Sequence, residues 1–379
     1  MAAIASPGTT GNDTIIPGDG GDTLYGDPFD VIPLTHGRGG NDSLSATGDA
    51  NTLLGDAQGV SGNGRGGNDS LTATGQHNYL FGDAHDMSGD ARGGNDSLRA
   101  TGSAEFYNHN YLFGDAHDMS GDARGGNDNL TSTGGDSHFY GDAQSMSDEA
   151  RGGNDGLNIS GDYCTVSGDA YQMSDEARGG NDSLTLSGTQ GQVCGDATGV
   201  MSGDARGGND SLTLTGNCFG TDLSGDAGVF VAMTGNAHGG NDRLTVTGDS
   251  DFNDLIGDAG VIAGHAVGGN DSIISAARTS RALAKLRTWN CSRTSAFSST
   301  KRMDWSSSTI QMGFMQRGAR SSSGDQAFKA ADHGKGISSL NTVRPGTLSH
   351  SIVPWCCCTK VCASVSPRPD PPSRPVTSG

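Results

Sequence analysis

The first 275 residues of this 379-residue chain contain no lysine and no tryptophan. They hold 36 Asp and 3 Glu against 9 Arg, a net charge of −30. So acidic a segment repels DNA and anionic membranes, and it repels itself. Unless something neutralises it, it stays unfolded, and a divalent cation is the natural neutraliser. No apolar run is long enough to span a bilayer. Residues 1–20 lack the basic start and apolar run of a signal peptide. The eight cysteines make no disulfide framework: Cys164, Cys194 and Cys218 are scattered, Cys291 is alone, and Cys356, Cys357, Cys358 and Cys362 crowd together. Zinc would ask for two spaced pairs. No nucleophile stands by a base, and there is neither a phosphate-binding loop nor a glutamate pair. The chain reads as a protein that is not an enzyme.

What it has is a repeat. Gly-Gly-Asn-Asp occurs at residues 39–42, 66–69, 93–96, 125–128, 152–155, 179–182, 207–210, 239–242 and 268–271, after a shorter Gly11-Asn12-Asp13. Successive Asn residues are 29, 27, 27, 32, 27, 27, 28, 32 and 29 apart. A fixed period of this size is the signature of stacked units. Within a unit the apolar marks step by 9, 7 and 11, as in Leu71, Leu80, Met87 and Leu98. Three marks imply three short strands. The best strand follows the motif: Ser70-Leu71-Thr72-Ala73-Thr74 alternates with the period of a strand. The fold class expected is all-β, a parallel β-solenoid (β-helix or β-roll) of about 27 residues per repeat. A three-sided helix is preferred to a two-sided roll, because it keeps each motif on one edge.

The expected organisation is a degenerate N-terminal rung over 1–38, the repeat solenoid over 39–275, a capping helix over 276–290, and a disordered or aberrant basic tail over 291–379. Composition reverses at the third boundary. Residues 276–379 carry 15 Lys and Arg against 4 Asp, and all three tryptophans. The loops at 103–108 and between Asn209 and Asn241 are insertions that a stack tolerates.

Residues in register become ladders, with rungs about 4.8 Å apart. One ladder is Asp42, Asp69, Asp96, Asp128, Asp155, Asp182, Asp210, Asp242 and Asp271. A second is Asp56, Asp83, Asp115, Asp142, Asp169, Asp196, Asp226 and Asp258. A third, Asp90, Asp122, Asp148, Asp175 and Asp204, stands near Arg92, Arg124, Arg151, Arg178 and Arg206 and is expected to pair with them. Carboxylates so close raise one another's pKa and oppose folding unless cations lie between them. Multiple calcium ions fit best, since calcium takes six to eight oxygens in loose geometry, backbone carbonyls included. The competing reading is plain turn chemistry, because Asn and Asp bond their own backbone. The histidines vary in position and read as surface groups.

The Gly-Asn-Asp corners with an apolar residue two places on, as in Gly67, Asn68, Asp69 and Leu71, resemble the hemolysin-type (RTX) calcium-binding repeats over residues 10–275. The resemblance implies a calcium-binding turn followed by a short strand, metal shared between turns, and folding that waits for it. The family's ligand Asp falls on Asp42, Asp69, Asp96, Asp128, Asp155, Asp182, Asp210, Asp242 and Asp271. The family's Gly-Gly-x-Gly-x-Asp spacing is compressed here, and its 9-residue step becomes 9, 7 and 11. The resemblance also implies a secreted or cell-surface protein exported without a conventional signal peptide.

A second class of function is a flat binding face for ice or another repetitive surface. Thr47, Thr72, Thr74, Thr131, Thr133, Thr185, Thr213, Thr215, Thr245 and Thr247 are expected to point outward from the best strand, with Arg99 and Asn158 interrupting the row. The abrupt change of vocabulary near residue 275 suggests a shifted reading frame. Resequencing the gene tests this: the repeat should continue in another frame beyond codon 275, and its absence there would sink the idea.

Overall fold

The computed structural model describes residues 5–16, 20–27, 34–102, 109–247 and 253–275, with the short strands Leu283–Ala284 and Ser308–Gln311. Among these residues every regular element is a strand. They stack as a parallel β-solenoid of about nine turns, each of about 27 residues. The chain is three-sided, as the motif spacing requires. Each turn runs through a motif strand such as Ser70–Thr74, a second strand such as Tyr79–Phe81 and a third such as Ala84–Met87. Each strand pairs with its equivalent one turn away: Leu71 with Leu98, Leu80 with Leu112, Met87 with Met119. A fourth edge consists of single bridges, Arg65 to Arg92 and Arg92 to Arg124. The 29- and 32-residue intervals keep this register, because the extra residues leave the ladder pairs in place.

The interior is divided. One apolar column holds the leucines of the motif and second strands, Leu44, Leu53, Leu71, Leu80, Leu98 and Leu112 among them. The other holds the methionines of the third strand, Met87, Met119, Met146, Met173, Met201 and Met233, with small alanines beside them. The two corners of each turn meet across the middle and separate these columns. The motif corner lies between the arginine edge and the motif strand; the Gly-Asp corner, such as Gly82-Asp83, lies between the second and third strands. Gly94 N–H donates to Asp83 Oδ1 at 2.9 Å and joins them. Alternation within the strands matches this section, since Ser70–Thr74 buries Leu71 and Ala73 and exposes Ser70 and Thr74. Stacked rings, Phe81 on Phe113 at 4.9 Å and Phe113 on Tyr140 at 5.3 Å, fill a third small column.

 Glycine marks the closest approach in this stack. A Cβ on Gly94 would overlap the carbonyl oxygen of Gly67 one turn away. Gly75, which ends a motif strand, adopts φ +127°, a conformation closed to other residues.

Residues 1–317 form one compact unit, and residues 318–379 lie outside the described residues. The capping helix expected over 276–290 also lies outside them, except that Leu283–Ala284 pair in parallel with Asp254–Leu255. The tail over 291–379 is outside them apart from Ser308–Gln311, which pair antiparallel to Ser272–Ser275. Cys164, Cys194 and Cys218 are buried free thiols, in keeping with the absence of a disulfide framework.

Two glycine substitutions test the stacking. Gly94→Ala should destabilise the protein by about 1–3 kcal/mol or more, because backbone must move to admit the methyl group. Gly156→Ser should leave the thermal midpoint unchanged or raise it, since a Cβ there meets only ordinary contacts and other turns carry serine in that register. Thermal unfolding of both variants under one set of conditions checks the pair.

Candidate functional site

The two main aspartate ladders lie inside the solenoid, where they form the partition between the apolar columns. Asp69, Asp96, Asp128, Asp155 and Asp182 of the first ladder are each 3% exposed, and Asp83, Asp115, Asp142, Asp169 and Asp196 of the second are fully buried. Asp27 joins the second ladder at its start; its carboxylate accepts from Gly40 N–H at 3.3 Å. The third ladder differs. Asp90, Asp122, Asp175 and Asp204 are exposed in turns.

Each carboxylate of the first ladder does two things. Its Oδ1 accepts the backbone N–H of the equivalent Asp in the preceding turn: Asp69 N–H to Asp96 Oδ1 at 2.6 Å, Asp96 to Asp128 at 2.6 Å, Asp128 to Asp155 at 2.7 Å. Its Oδ2 has no hydrogen-bond donor in eight consecutive turns, from Asp42 to Asp242. In the second ladder the carboxylate accepts from a motif glycine, as from Gly153 to Asp142 Oδ1 at 2.7 Å. Oδ2 of Asp115, Asp142, Asp169, Asp196 and Asp226 is again without a donor. Consecutive carboxyls of this ladder touch, Asp56 on Asp83 and Asp115 on both Asp83 and Asp142. Two carboxyl groups in hydrogen-bond contact must share a proton or a cation.

Burial pushes these carboxyls up in pKa, and neighbouring carboxylates add to the effect. Asp69 is raised to about 8 by burial first, then by Asp42 and Asp27. Asp271 is raised to about 7, and Asp169 and Asp258 to about 6. Asp83, Asp96, Asp128, Asp142 and Asp182 stand well above the ordinary range for the same reason. Sequence reasoning assigned the rise to mutual repulsion. Burial is the larger cause, because the ladders are interior and not at the solvated corners.

The expected pairing of arginines with the third ladder is not found. Among the described residues the ion pairs are His85–Asp86, His109–Asp136 and His117–Asp118, and none includes arginine. Among the described residues no Lys or Arg side chain therefore pairs with the buried carboxylates. His85 and His117 are half-buried and stack on each other at 4.9 Å, where surface groups were expected, and His138 is likewise half-buried against Tyr111, its pKa lowered by burial.

The residues fit a hard cation in their chemistry. The donorless Oδ2 of Asp96 and the carbonyl oxygen of Gly114 both face the Cα of Gly82, and the same arrangement recurs at Gly114 with Asp128 and Gly141. The nearest polar atoms at these places are oxygens, the donor type calcium prefers. No group of three or more His, Cys, Asp or Glu side chains is ready-formed as a metal cage among the described residues. Backbone oxygens would have to complete any coordination.

The threonine rows are placed as expected. Thr72, Arg99, Thr131, Asn158, Thr185, Thr213 and Thr245 follow one another in register on the outer face of the motif sheet, and Thr47 and Thr74 pair beside them. Thr133, Thr215 and Thr247 stand just beyond their strands and bond the turn before, Thr215 N–H to Leu186 O at 3.0 Å. Sequence reasoning missed the motif asparagines as a ladder. Asn95 N–H and its side-chain amide both donate to Asn68 Oδ1, at 2.7 and 3.2 Å, and the repetition of Asn itself was the available signal.

The chain matches no protein family, no curated protein and no solved structure. Among the described residues no helix is long and apolar enough to cross a membrane.

The raised pKa values fix a pH dependence. A carboxyl raised in the folded state contributes stability that is fully present below its unfolded pKa and is lost as pH rises through the folded value. Without divalent cations the thermal midpoint should therefore fall as pH rises from the ordinary value of 3.8 through about 6 for Asp169 and about 8 for Asp69. Unfolding scans in chelator across that window check it; a midpoint that climbs with pH would contradict the burial of protonated carboxyls.

Proposed function

We propose that this is a calcium-binding structural repeat protein, whose Gly, Asn and Asp corners chelate calcium between stacked turns and couple metal binding to folding. The observation that carries the reading is the file of buried Asp Oδ2 atoms without a donor, from Asp42 to Asp242, with no Lys or Arg paired to them among the described residues. The first-ladder carboxylates and the second-ladder carboxylates named above are the candidate ligands, down to Asp271 and Asp258. Calcium, when bound, would supply the positive charge that the side chains lack. Asp Oδ1 holds the turn whether or not a cation is present, so the turn role and the metal role use different atoms of one carboxylate. Work outside the cell, secreted or at the surface, belongs to the same proposal, since extracellular modules bind calcium with K_d near ~10⁻⁴–10⁻³ M where such levels prevail.

A second reading rests on the register of the threonines: a flat face that adsorbs to ice or another repetitive surface. Arg99 and Asn158 break its central row. Thermal hysteresis by the calcium-loaded protein would favour it, and normal crystal growth would end it.

Calcium titration of the full chain, followed by far-UV circular dichroism with magnesium as control, tests the first reading. A cooperative gain of sheet or of thermal midpoint with calcium is expected; a sheet formed in chelator and unmoved by calcium would overturn it. Asp142→Asn with Asp155→Asn should raise the midpoint in chelator at neutral pH, because an amide is buried without first having to take up a proton. The same pair should reduce the stabilisation by calcium. Turn chemistry alone would leave the calcium response of this variant unchanged.

A further inference from the structure

Seven of the nine arginines in the repeat region, from Arg38 to Arg206, form a single file along the fourth edge, each bridged to the next. Six of the seven are exposed, Arg151 being half-buried. Guanidinium groups issuing from rungs about 4.8 Å apart repel one another. No carboxylate lies within 4.0 Å of any of them among the described residues.

A groove of about 260 Å³ runs beside the first three, Arg38, Arg65 and Arg92, with Asn41 and Asn68 on its other wall and motif glycines as its floor. Its side chains offer donors. Guanidinium has no acceptor. Asn41 Oδ1 is already occupied by the backbone N–H and the amide of Asn68, at 2.7 and 3.4 Å. The Asn68 amide uses one hydrogen on Asn41 and keeps a second. The position is also where the file is least offset. The turns leading to Arg38 and Arg65, residues 35–37 and 61–64, contain no acid, whereas Asp90, Asp122, Glu149, Glu176 and Asp204 each stand two places before the later arginines.

We propose that this groove binds a linear sulfated polysaccharide. A file of planar guanidinium forks suits oxyanions repeated along a chain. The motif glycines present bare backbone to the groove. No aromatic side chain lines the groove, so it lacks the platform on which single-stranded nucleic acid stacks its bases. This inference rests on the arginine file and stands independently of cation binding at the aspartates.

The test is binding of dextran sulfate to the full chain, with neutral dextran and an oligothymidylate as parallel probes, at low and at raised salt. Dextran sulfate should bind, and the affinity should fall with salt. The variant R38Q/R65Q/R92Q should bind about tenfold more weakly and with a shallower salt slope, as expected when three ionic contacts are removed. Arg243→Gln, on a motif strand outside the file, should leave binding unchanged. Far-UV circular dichroism checks that both variants keep the sheet, and Arg65→Gln alone, a smaller change, should weaken binding in the same direction. Undiminished binding by the triple variant, equal loss in Arg243→Gln, or equally tight binding of neutral dextran or oligothymidylate would each overturn the proposal.

Discussion

Two columns of carboxylates lie inside this molecule with no Lys or Arg paired to them among the described residues, and most of its architecture follows from that. A buried ionised carboxylate without a partner is too costly to persist. The group must be protonated, or a cation must come to it. The structure satisfies half of each carboxylate from the backbone, through bonds such as Asp96 N–H to Asp128 Oδ1. The other oxygen is left to whatever the solution supplies. Stability and ionic environment are therefore linked through the same atoms.

The geometry that permits this is narrow. Motif glycines bring successive turns into contact that a methyl group would prevent, as at Gly94 against Gly67. Close stacking keeps every ladder in register, so one Asp per turn becomes a continuous column. Apolar packing supplies the rest: leucines on one side of the carboxylate partition, methionines and alanines on the other. Neither column alone is thick, and each turn depends on its neighbours for burial.

The arginine edge is the reverse of the interior. Its charges are exposed, of one sign and unpaired with carboxylates, while the interior charges are hidden and of the opposite sign. The same repeat thus separates positive and negative groups into parallel files a few residues apart in sequence. An acidic composition at the level of the whole chain conceals a basic stripe at the level of one edge. The two files differ in chemistry, carboxylate oxygens within and guanidinium donors without.

The sequence by itself determined the solenoid, its 27-residue turn, its three strands and the registers of its ladders. Periodicity carries that information directly, because Leu71 and Leu98 can be equivalent only if they stack. It also placed the threonines outward, since strand alternation fixes faces. What only the tertiary structure decided is where the corners go. Asp69 and Asp83 read as corner residues that hold a cation or a turn, and folding the two corners toward each other buries both. Arg92 reads as a partner for Asp90, and the stacking turns it into a neighbour of Arg65 and Arg124 instead. Local pattern records which residues recur; which of them face each other depends on how the turn closes across its own interior.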